Sequence, residues 1–402
     1  MAIPNREAVG AGASSPRGAA SATPRASDPY RVMLVDDSVV VRSLLTRILE
    51  SDAAVQVVAS LSNGEQAVNL VKRHNPDVVV LDIEMPVMDG LTALPKLIQA
   101  IPGLKVIMAS TLTRRNADIS MKALAAGASD YIAKPEASRE IGGESDFKRE
   151  LLEKVRVLGD AARGHRAGAT RVRPGGAPKP MAPHVKPTDL LNAAPRPEAP
   201  FSLRPISPYR PKVLAIGSST GGPKALFTVL SGLDKSFDLP VLVTQHMPPT
   251  FTAILAEHIA SVASLPCVEA KAGDVVKGGH IYVAPGDYHM RVTSSNGNVV
   301  VVLDQAAREN FCRPAVDPML RSIVEIYGRT TLAVILTGMG QDGLKGCEEV
   351  ARAGGTILTQ DAETSVVWGM PGIVSTAGLS SAVLPINKVA DYVQGLASGA
   401  KR

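Results

Sequence analysis

The chain has 402 residues, of which 45% are hydrophobic and 20% charged, and its formal net charge is +5. This length predicts two domains of ordinary size. No apolar run reaches about 18 residues, so we expect no membrane span. The three cysteines show no CxxC spacing, which predicts reduced thiols and no metal site made of them. We therefore expect a soluble, cytoplasmic protein.

Two segments hold too few large apolar residues to build a core. Residues 1–29 are rich in Ala, Gly, Ser and Pro without the apolar core of a secretory signal, which predicts a disordered extension. Residues 157–211 are predicted to be a flexible linker, because the stretch Asp160 to Lys212 contains ten Lys/Arg, three Asp/Glu and eleven prolines. Its excess of positive charge exceeds that of the whole chain. The basic pI therefore does not indicate a nucleic-acid-binding fold.

The first predicted domain, residues 30–156, alternates five strands and helices, which predicts a flavodoxin-like five-stranded parallel sheet. One strand runs into Asp36 and Asp37, and another ends at Asp82. Converging carboxylates repel one another unless a hard cation lies among them, and Mg²⁺ fits such a set. A later strand ends before Lys134, a cation that can pair with phosphate.

The motifs LVDDS, LDIEMPVMDG and KP resemble those of the receiver domains of two-component response regulators. Taken singly, Asp36 could instead cap a helix, and Tyr131 could be a core residue. The resemblance implies that Asp82 is phosphorylated and that Mg²⁺ is required for this step. It further implies a role for each of these residues: Asp36, Asp37, Asp82 and the backbone carbonyl of Glu84 as Mg²⁺ ligands, Ser110 as the switch hydroxyl, Tyr131 as the switch aromatic, and Lys134 as the phosphate contact.

The second predicted domain, residues 212–398, opens with an apolar strand that runs into a glycine-bracketed serine, Ser219. The pattern GxSxG allows a sharp strand-to-helix bend that presents a hydroxyl as a nucleophile. A helix cap or a phosphate cradle remains an alternative. The segment does not match a P-loop, because Pro223 precedes the lysine and Ala225 replaces the required hydroxyl.

A serine nucleophile needs a base and a carboxylate that orients it. His246 follows the apolar run LPVLVTQ and precedes MPP, which places it at the carboxyl end of a strand. For His258, inside a predicted helix, a solvent-facing or capping role is the better interpretation, and His280 and His289 flank a predicted hairpin. Asp342 follows another apolar strand, although an ordinary helix cap is also open to it.

Strands are predicted near Val213, Val241, Ile281, Val299, Leu332 and Thr356. Their alternation with helices and turns predicts a doubly wound α/β domain with a mostly parallel sheet and an antiparallel edge. An ordinary α/β-hydrolase orders its triad as serine, acid and histidine. Here the histidine precedes the acid, which argues against that fold.

The motifs GSSTGG, TQHMPP, YVAPGDYHM, RPAVD, ILTGMGQDG and VWGMP, in this order, resemble the catalytic domain of the CheB family of chemotaxis protein-glutamate methylesterases. The resemblance implies a triad of Ser219, His246 and Asp342 and an oxyanion hole that includes the backbone N–H of Met339, with Thr220 as a plausible second donor. Cys312 departs from this resemblance, which implies a histidine or similar polar residue before RPxVD, so the substrate contact implied for that side chain is not carried over to Cys312.

By the same resemblance, the protein is a phosphorylation-activated hydrolase that demethylates chemoreceptor glutamates and deamidates receptor glutamines. Its expected partners are those receptors and a chemotaxis histidine kinase, and no cofactor is expected for the esterase. The resemblance also implies that the unphosphorylated receiver packs over the catalytic face. A phosphorylation-dependent adaptor without turnover and a small-molecule esterase remain alternative hypotheses.

Overall fold

The structure, a computed structural model, describes residues 28–134, 143–169 and 202–399. Most of the predicted N-terminal extension and the central part of the predicted linker lie outside the described residues. None of the helices in these three ranges is long and apolar enough to cross a membrane.

The first domain is a five-stranded parallel sheet in the order β2-β1-β3-β4-β5. Its central strand is buried along its whole length, as expected when helices cover both faces of a parallel sheet. The strands are β1 (Tyr30–Val35), β2 (Val55–Leu61), β3 (Val78–Asp82), β4 (Lys105–Ser110) and β5 (Asp130–Ala133). The helices are α1 (Val39–Glu50), α2 (Gly64–His74), α3 (Gly90–Ala100), α4 (Arg114–Ala125) and α5 (Gly143–Ala169).

Helix α5 extends beyond the predicted domain boundary at residue 156. Leu158 and Ala162 are fully buried in the domain core. Arg163 and Arg166 each form an ion pair at 3.0 Å with the buried carboxylate of Asp77. Apolar packing and these two pairs keep residues 157–169 helical, so the first part of the predicted linker belongs to the receiver fold.

The second domain contains a seven-stranded sheet in the order β14-β13-β12-β6-β7-β9-β8, and its pairings are parallel. Its strands are β6 (Val213–Ser218), β7 (Val241–Gln245), β8 (Cys267–Glu269), β9 (Ile281–Val283), β12 (Thr331–Ile335), β13 (Thr356–Gln360) and β14 (Ala382–Leu384). The helices are α6 (Gly222–Ser231), α7 (Phe251–Val262), α8 (Val316–Tyr327), α9 (Leu344–Arg352), α10 (Met370–Thr376) and α11 (Ile386–Ala397).

An antiparallel pair, β10 (His289–Ser295) and β11 (Asn298–Asp304), forms a separate two-stranded sheet. The predicted fold class, a flavodoxin-like receiver joined to a doubly wound domain, is confirmed. The antiparallel strands are found beside the large sheet, whereas the sequence placed them at its edge. The difference arises because β9 pairs with β7 and β8, which leaves the following hairpin to pair with itself.

Candidate active site

Ser219, His246 and Asp342 follow three strands that end at the same edge of the seven-stranded sheet. Strand β6 lies between β7 and β12, so the residues that follow these strands converge. Close packing requires glycine at two positions of the serine turn. A Cβ on Gly217 would lie 2.7 Å from a methyl carbon of Val316, and Gly221 has a φ of +76°.

The imidazole of His246 is oriented by Asp342. Its Nε2 lies 2.7 Å from Oδ2 of the carboxylate, which is almost fully buried. The same carboxylate accepts hydrogen bonds from the backbone N–H groups of Val316 (2.6 Å) and Asp317 (3.2 Å) at the start of α8. Asp342 therefore lies at the positive end of the α8 dipole, and it does not act as the side-chain cap of α9.

These contacts decide the ionisation of Asp342. Burial raises its pKa, but the hydrogen bond and charge of His246 and the α8 amides outweigh burial and lower the pKa below its usual range. The carboxylate is thus ionised, and Nε2 of His246 carries a proton. When the imidazole is neutral, its lone pair is therefore on Nδ1, where a general base would accept a proton.

In this structure Nδ1 faces a sulfur atom. Cys312 Sγ lies 3.4 Å from Nδ1 of His246, whereas Ser219 Oγ forms no hydrogen bond with a residue in the described ranges. Burial lowers the pKa of His246, but Cys312 and Asp342 outweigh burial and raise it well above its usual range. The sequence flagged Cys312 only as a departure from the expected motif, and its contact with the base was not predicted.

Gln245 holds the two strand ends together, a role that the sequence analysis missed. Its Nε2 donates to the backbone carbonyls of Ser219 (2.9 Å) and His246 (3.2 Å), and its Oε1 accepts from Ser218 Oγ (2.7 Å). A Cβ on Gly222 would lie 1.9 Å from Oε1, so a larger residue there would displace the Gln245 amide from these contacts. A glutamine that ends a buried strand was the available signal.

The two predicted oxyanion donors flank the serine. A Cβ on Gly338, the residue before Met339, would lie 2.9 Å from Cβ of Ser219. Within the described part of the chain, neither the N–H of Met339 nor that of Thr220 donates to another residue. Both N–H groups are therefore free to bind an oxyanion.

The carboxylates of the receiver converge as predicted. The ligand atoms of Asp36, Asp37 and Asp82 lie within 4.8 Å of one another. Lys134 Nζ lies 2.7 Å from a carboxylate oxygen of both Asp36 and Asp82. Asp36 Oδ2 is buried and, despite this ion pair, has no hydrogen bond of good geometry. A buried oxygen with spare acceptor capacity in an all-oxygen set suits Mg²⁺.

Burial raises the pKa of Asp82 to about 6, although Lys134 opposes the shift. Glu84, whose backbone carbonyl is the remaining predicted ligand, has its side chain 3.7 Å from Arg115. Ser110 is buried and accepts a hydrogen bond from Ser120, at 3.2 Å. The predicted switch hydroxyl is thus hydrogen-bonded to a residue of α4 in this structure.

The receiver contacts the catalytic domain beside the serine turn. Asp130 of β5 accepts a hydrogen bond of 2.7 Å from the hydroxyl of Thr220, the residue after the serine. Tyr131 stacks on Phe251 of α7 with ring centroids 4.5 Å apart. Both Asp130 and Tyr131 are buried. The predicted switch aromatic is therefore part of the interface between the domains.

Helix α4 packs against α6 and α7 at the same interface. His258 Nε2 lies 2.8 Å from the carboxylate of Asp118, and Arg114 lies 2.6 Å from Glu257. The interpretation of His258 as a solvent-facing or capping residue is therefore incomplete, since its ring contacts the receiver. Of the other two histidines, His289 is buried and hydrogen-bonds to backbone atoms, which is a structural role.

These two edges define a class of protein. A Ser/His/Asp set at one parallel sheet, joined to an acidic cluster with a lysine at another, is the arrangement of a response regulator whose output domain is a hydrolase. Two family models agree with this division. The model described as CheB methylesterase matches residues 214–393, and the model described as response regulator receiver domain matches residues 32–143.

Curated relatives match almost the whole chain. The protein-glutamate methylesterase/protein-glutamine glutaminase of group 2 operon from Rhodospirillum centenum is 56% identical over 378 residues, covering 92% of this chain and 95% of that protein. The protein-glutamate methylesterase/protein-glutamine glutaminase of Azospirillum brasilense is 55% identical over 395 residues, covering 96% of each chain. The chain belongs to the protein-glutamate methylesterase/protein-glutamine glutaminase family.

A solved structure matches part of the chain. The crystal structure of the Thermotoga maritima CheB methylesterase catalytic domain is 45% identical and covers 47% of this chain and 100% of that one, with a TM-score of 0.46.

Proposed function

We propose that the protein hydrolyses glutamate methyl esters of chemoreceptors, releases methanol, and deamidates receptor glutamines by the same route. The relatives that match over nine-tenths of the chain are named for these two activities. An ester and an amide both pass through a tetrahedral oxyanion, so one site can serve both substrates.

The mechanism assigns one role to each triad residue. Ser219 attacks the carbonyl carbon, and Nδ1 of His246 takes the serine proton and passes it to the leaving methanol or ammonia. Asp342 keeps the proton of the imidazole on Nε2 and stabilises the imidazolium that forms. Water then releases the glutamate. The observation that supports this assignment best is the 2.7 Å contact between His246 and an ionised Asp342 beside Ser219.

The oxyanion is assigned to backbone N–H groups of Met339 and Thr220. Both groups flank the serine turn and keep their donors free of the described residues. Such donors stabilise charge that develops only in the transition state, so they lower the barrier rather than tighten substrate binding.

We further propose that phosphorylation of Asp82 controls this site. Asp36, Asp37, Asp82 and the carbonyl of Glu84 would hold Mg²⁺, which neutralises charge during phosphoryl transfer from a histidine kinase. Lys134 and Ser110 would then contact the phosphoryl group. The contacts of Asp130 with Thr220 and of Tyr131 with Phe251 support a resting state in which the receiver restrains the serine turn.

Methanol release from methylated receptor membranes tests the proposal. Wild-type protein should release methanol, and Ser219→Ala should lose on the order of 10⁴ or more in rate, because triad residues act as a unit. Hydrolysis of a nitrophenyl ester without methanol release would support a small-molecule esterase. The absence of turnover on both substrates, with Asp82 still phosphorylated, would support an adaptor.

A further inference from the structure

Cys312 lies against the general base on the side that the serine must use. Its Sγ is 3.4 Å from Nδ1 of His246 and 3.4 Å from the backbone carbonyl of Asn310. Because Nε2 of the ring is bound to Asp342, Nδ1 is the ring nitrogen left for Ser219, and Cys312 occupies it whichever of Nδ1 and Sγ carries the proton between them. Nδ1 has one lone pair in the ring plane. A thiol that uses this lone pair competes with the hydroxyl of Ser219 for the base.

The backbone around Cys312 adopts an uncommon conformation. We define the Cys312 loop as Arg308 to Cys312. Asn310 and Phe311 have φ values of +51° and +65°, in the left-handed region that disfavours bulky side chains. Phe311 is 68% exposed, so the core of the catalytic domain does not hold its side chain in place. The residues before it are anchored within that domain, because Asn310 donates to Asp317 and Asp342 and Glu309 pairs with Arg321.

Phe311 and Arg308, by contrast, contact α5 of the receiver. The guanidinium carbon of Arg149 lies 4.0 Å from the ring centroid of Phe311, a cation–π contact. Asp146 lies 3.5 Å from Arg308 at the other end of the Cys312 loop. The backbones of Glu309 and Cys312 exchange two hydrogen bonds, at 3.1 and 2.8 Å, which connect the two ends. A continuous set of contacts thus runs from α5 through the Cys312 loop to the base.

We propose that Cys312 is a positioning residue that keeps Nδ1 of His246 away from Ser219 in the resting enzyme, and that α5 maintains this contact through Phe311. The inference rests on the proposed function, because it concerns the regulation of the same site. When the receiver moves away, Phe311 loses Arg149, the Cys312 loop relaxes, and Nδ1 becomes available to Ser219. The receiver then acts on the proton acceptor as well as on access to the serine.

Kinetics of Cys312→Ala in the full chain test the role of the thiol. Without a phosphodonor, kcat for methanol release should rise about three- to tenfold, the range expected for loss of one weak hydrogen bond. KM should stay the same, since the thiol acts on the base and not on substrate binding. Cys312→Ser keeps a donor and should lie closer to wild type than Cys312→Ala does. An unchanged or lower basal kcat in Cys312→Ala would overturn the proposal.

Alkylation by iodoacetamide tests the link to the receiver. Phe311→Ala removes the cation–π contact, so Cys312 should be labelled several times faster than in wild type, and basal kcat should rise as in Cys312→Ala. Cys267 and Cys347 are buried and should remain unlabelled, which shows that each variant is folded. Equal labelling rates for Cys312 in wild type and Phe311→Ala would overturn the role of α5.

The same assays separate this proposal from the proposed function. If wild type releases no methanol, the proposed function fails, while the labelling rates still test the hold of α5 on the Cys312 loop. If Ser219→Ala retains turnover that iodoacetamide abolishes, Cys312 is a nucleophile and the positioning role is wrong. If Ser219→Ala is inactive and Cys312→Ala has the raised basal kcat, both proposals stand.

Discussion

The two sheet edges of the molecule carry their functional groups in different states. In the receiver, Lys134 lies 2.7 Å from both Asp36 and Asp82, so the charged groups are already in contact. In the catalytic domain, His246 and Asp342 are in contact, but Ser219 Oγ forms no hydrogen bond with a described residue. Charged groups attract one another over several ångströms, whereas a neutral hydroxyl is positioned only by local contacts. Neighbouring residues can therefore reposition the hydroxyl of Ser219 more easily than they can reposition the charged groups of the receiver.

The largest effect is expected when the contact between Asp342 and His246 is broken. Asp342→Asn should lower kcat by about 10³ to 10⁴, because the imidazole loses the carboxylate that sets its tautomer. Methanol release measures the loss, and thermal unfolding checks that α8, whose first N–H groups Asp342 binds, stays folded. Asp304→Asn, at the end of β11, is the matched control. A loss of less than tenfold would mean that Asp342 does not orient the base.

The pH dependence of activity reports the protonation of His246, because only a neutral His246 can accept the serine proton. Its pKa is raised well above the usual value by the two titratable groups that contact the ring, Cys312 and Asp342. A raised pKa keeps the ring protonated to higher pH, so activity should fall about tenfold per pH unit below that pKa. The fall should therefore begin above pH 6.5, the usual value for histidine.

Cys312→Ala removes one of the two groups that raise the pKa of His246, so the acid limb of the pH–rate profile should move to lower pH. A limb at the usual histidine pKa in both proteins would contradict the assigned environment of His246.

A smaller effect is expected where the receiver binds the serine turn. Thr220→Val removes the hydroxyl that donates to Asp130 but keeps the backbone N–H, so basal activity should rise about tenfold as the resting state weakens. Asp130→Asn should also raise it, and the rise in the double variant should be smaller than the product of the two single rises, because the two residues share one contact. Thr293→Val, on an exposed part of β10, is the matched control. Fully independent effects would show that the two side chains do not interact at rest.

The smallest effect is expected at the periphery of the interface. The contact of His258 with the Asp118 carboxylate is partly exposed, and exposed contacts of this kind contribute little. His258→Ala should raise basal activity about twofold at low ionic strength and less at high salt, where charges are screened. Basal methanol release over a salt series measures this. A salt-independent rise would indicate that packing of the ring, rather than its contact with the Asp118 carboxylate, holds the interface.

Features that depend on strand ends and local sequence patterns could be predicted from the sequence. Ser219, His246 and Asp342 each follow an apolar strand, so their convergence could be inferred from topology. The fold class was confirmed for the same reason. The predicted receiver domain ends at residue 156, whereas α5 continues to Ala169. The arginines and prolines from Asp160 onward obscured the apolar spacing of the buried residues Leu151, Val155, Leu158 and Ala162.

Contacts between residues far apart in the chain could not be predicted. Cys312 meets His246 across 66 positions, and Asp130 meets Thr220 across 90. Neither contact leaves a periodic or motif signal, since each depends on how a loop or a whole domain is placed. The binding of Asp342 to the start of α8 likewise requires the packing of α8 against the sheet.

The most direct test of the account compares wild type and Asp82→Asn for methanol release from methylated receptor membranes, with and without Mg²⁺ and acetyl phosphate. If phosphorylation of Asp82 controls the esterase, wild type is stimulated only when Mg²⁺ and the phosphodonor are both present, and Asp82→Asn stays at its basal rate. Equal stimulation of the two proteins would contradict control of the esterase through Asp82.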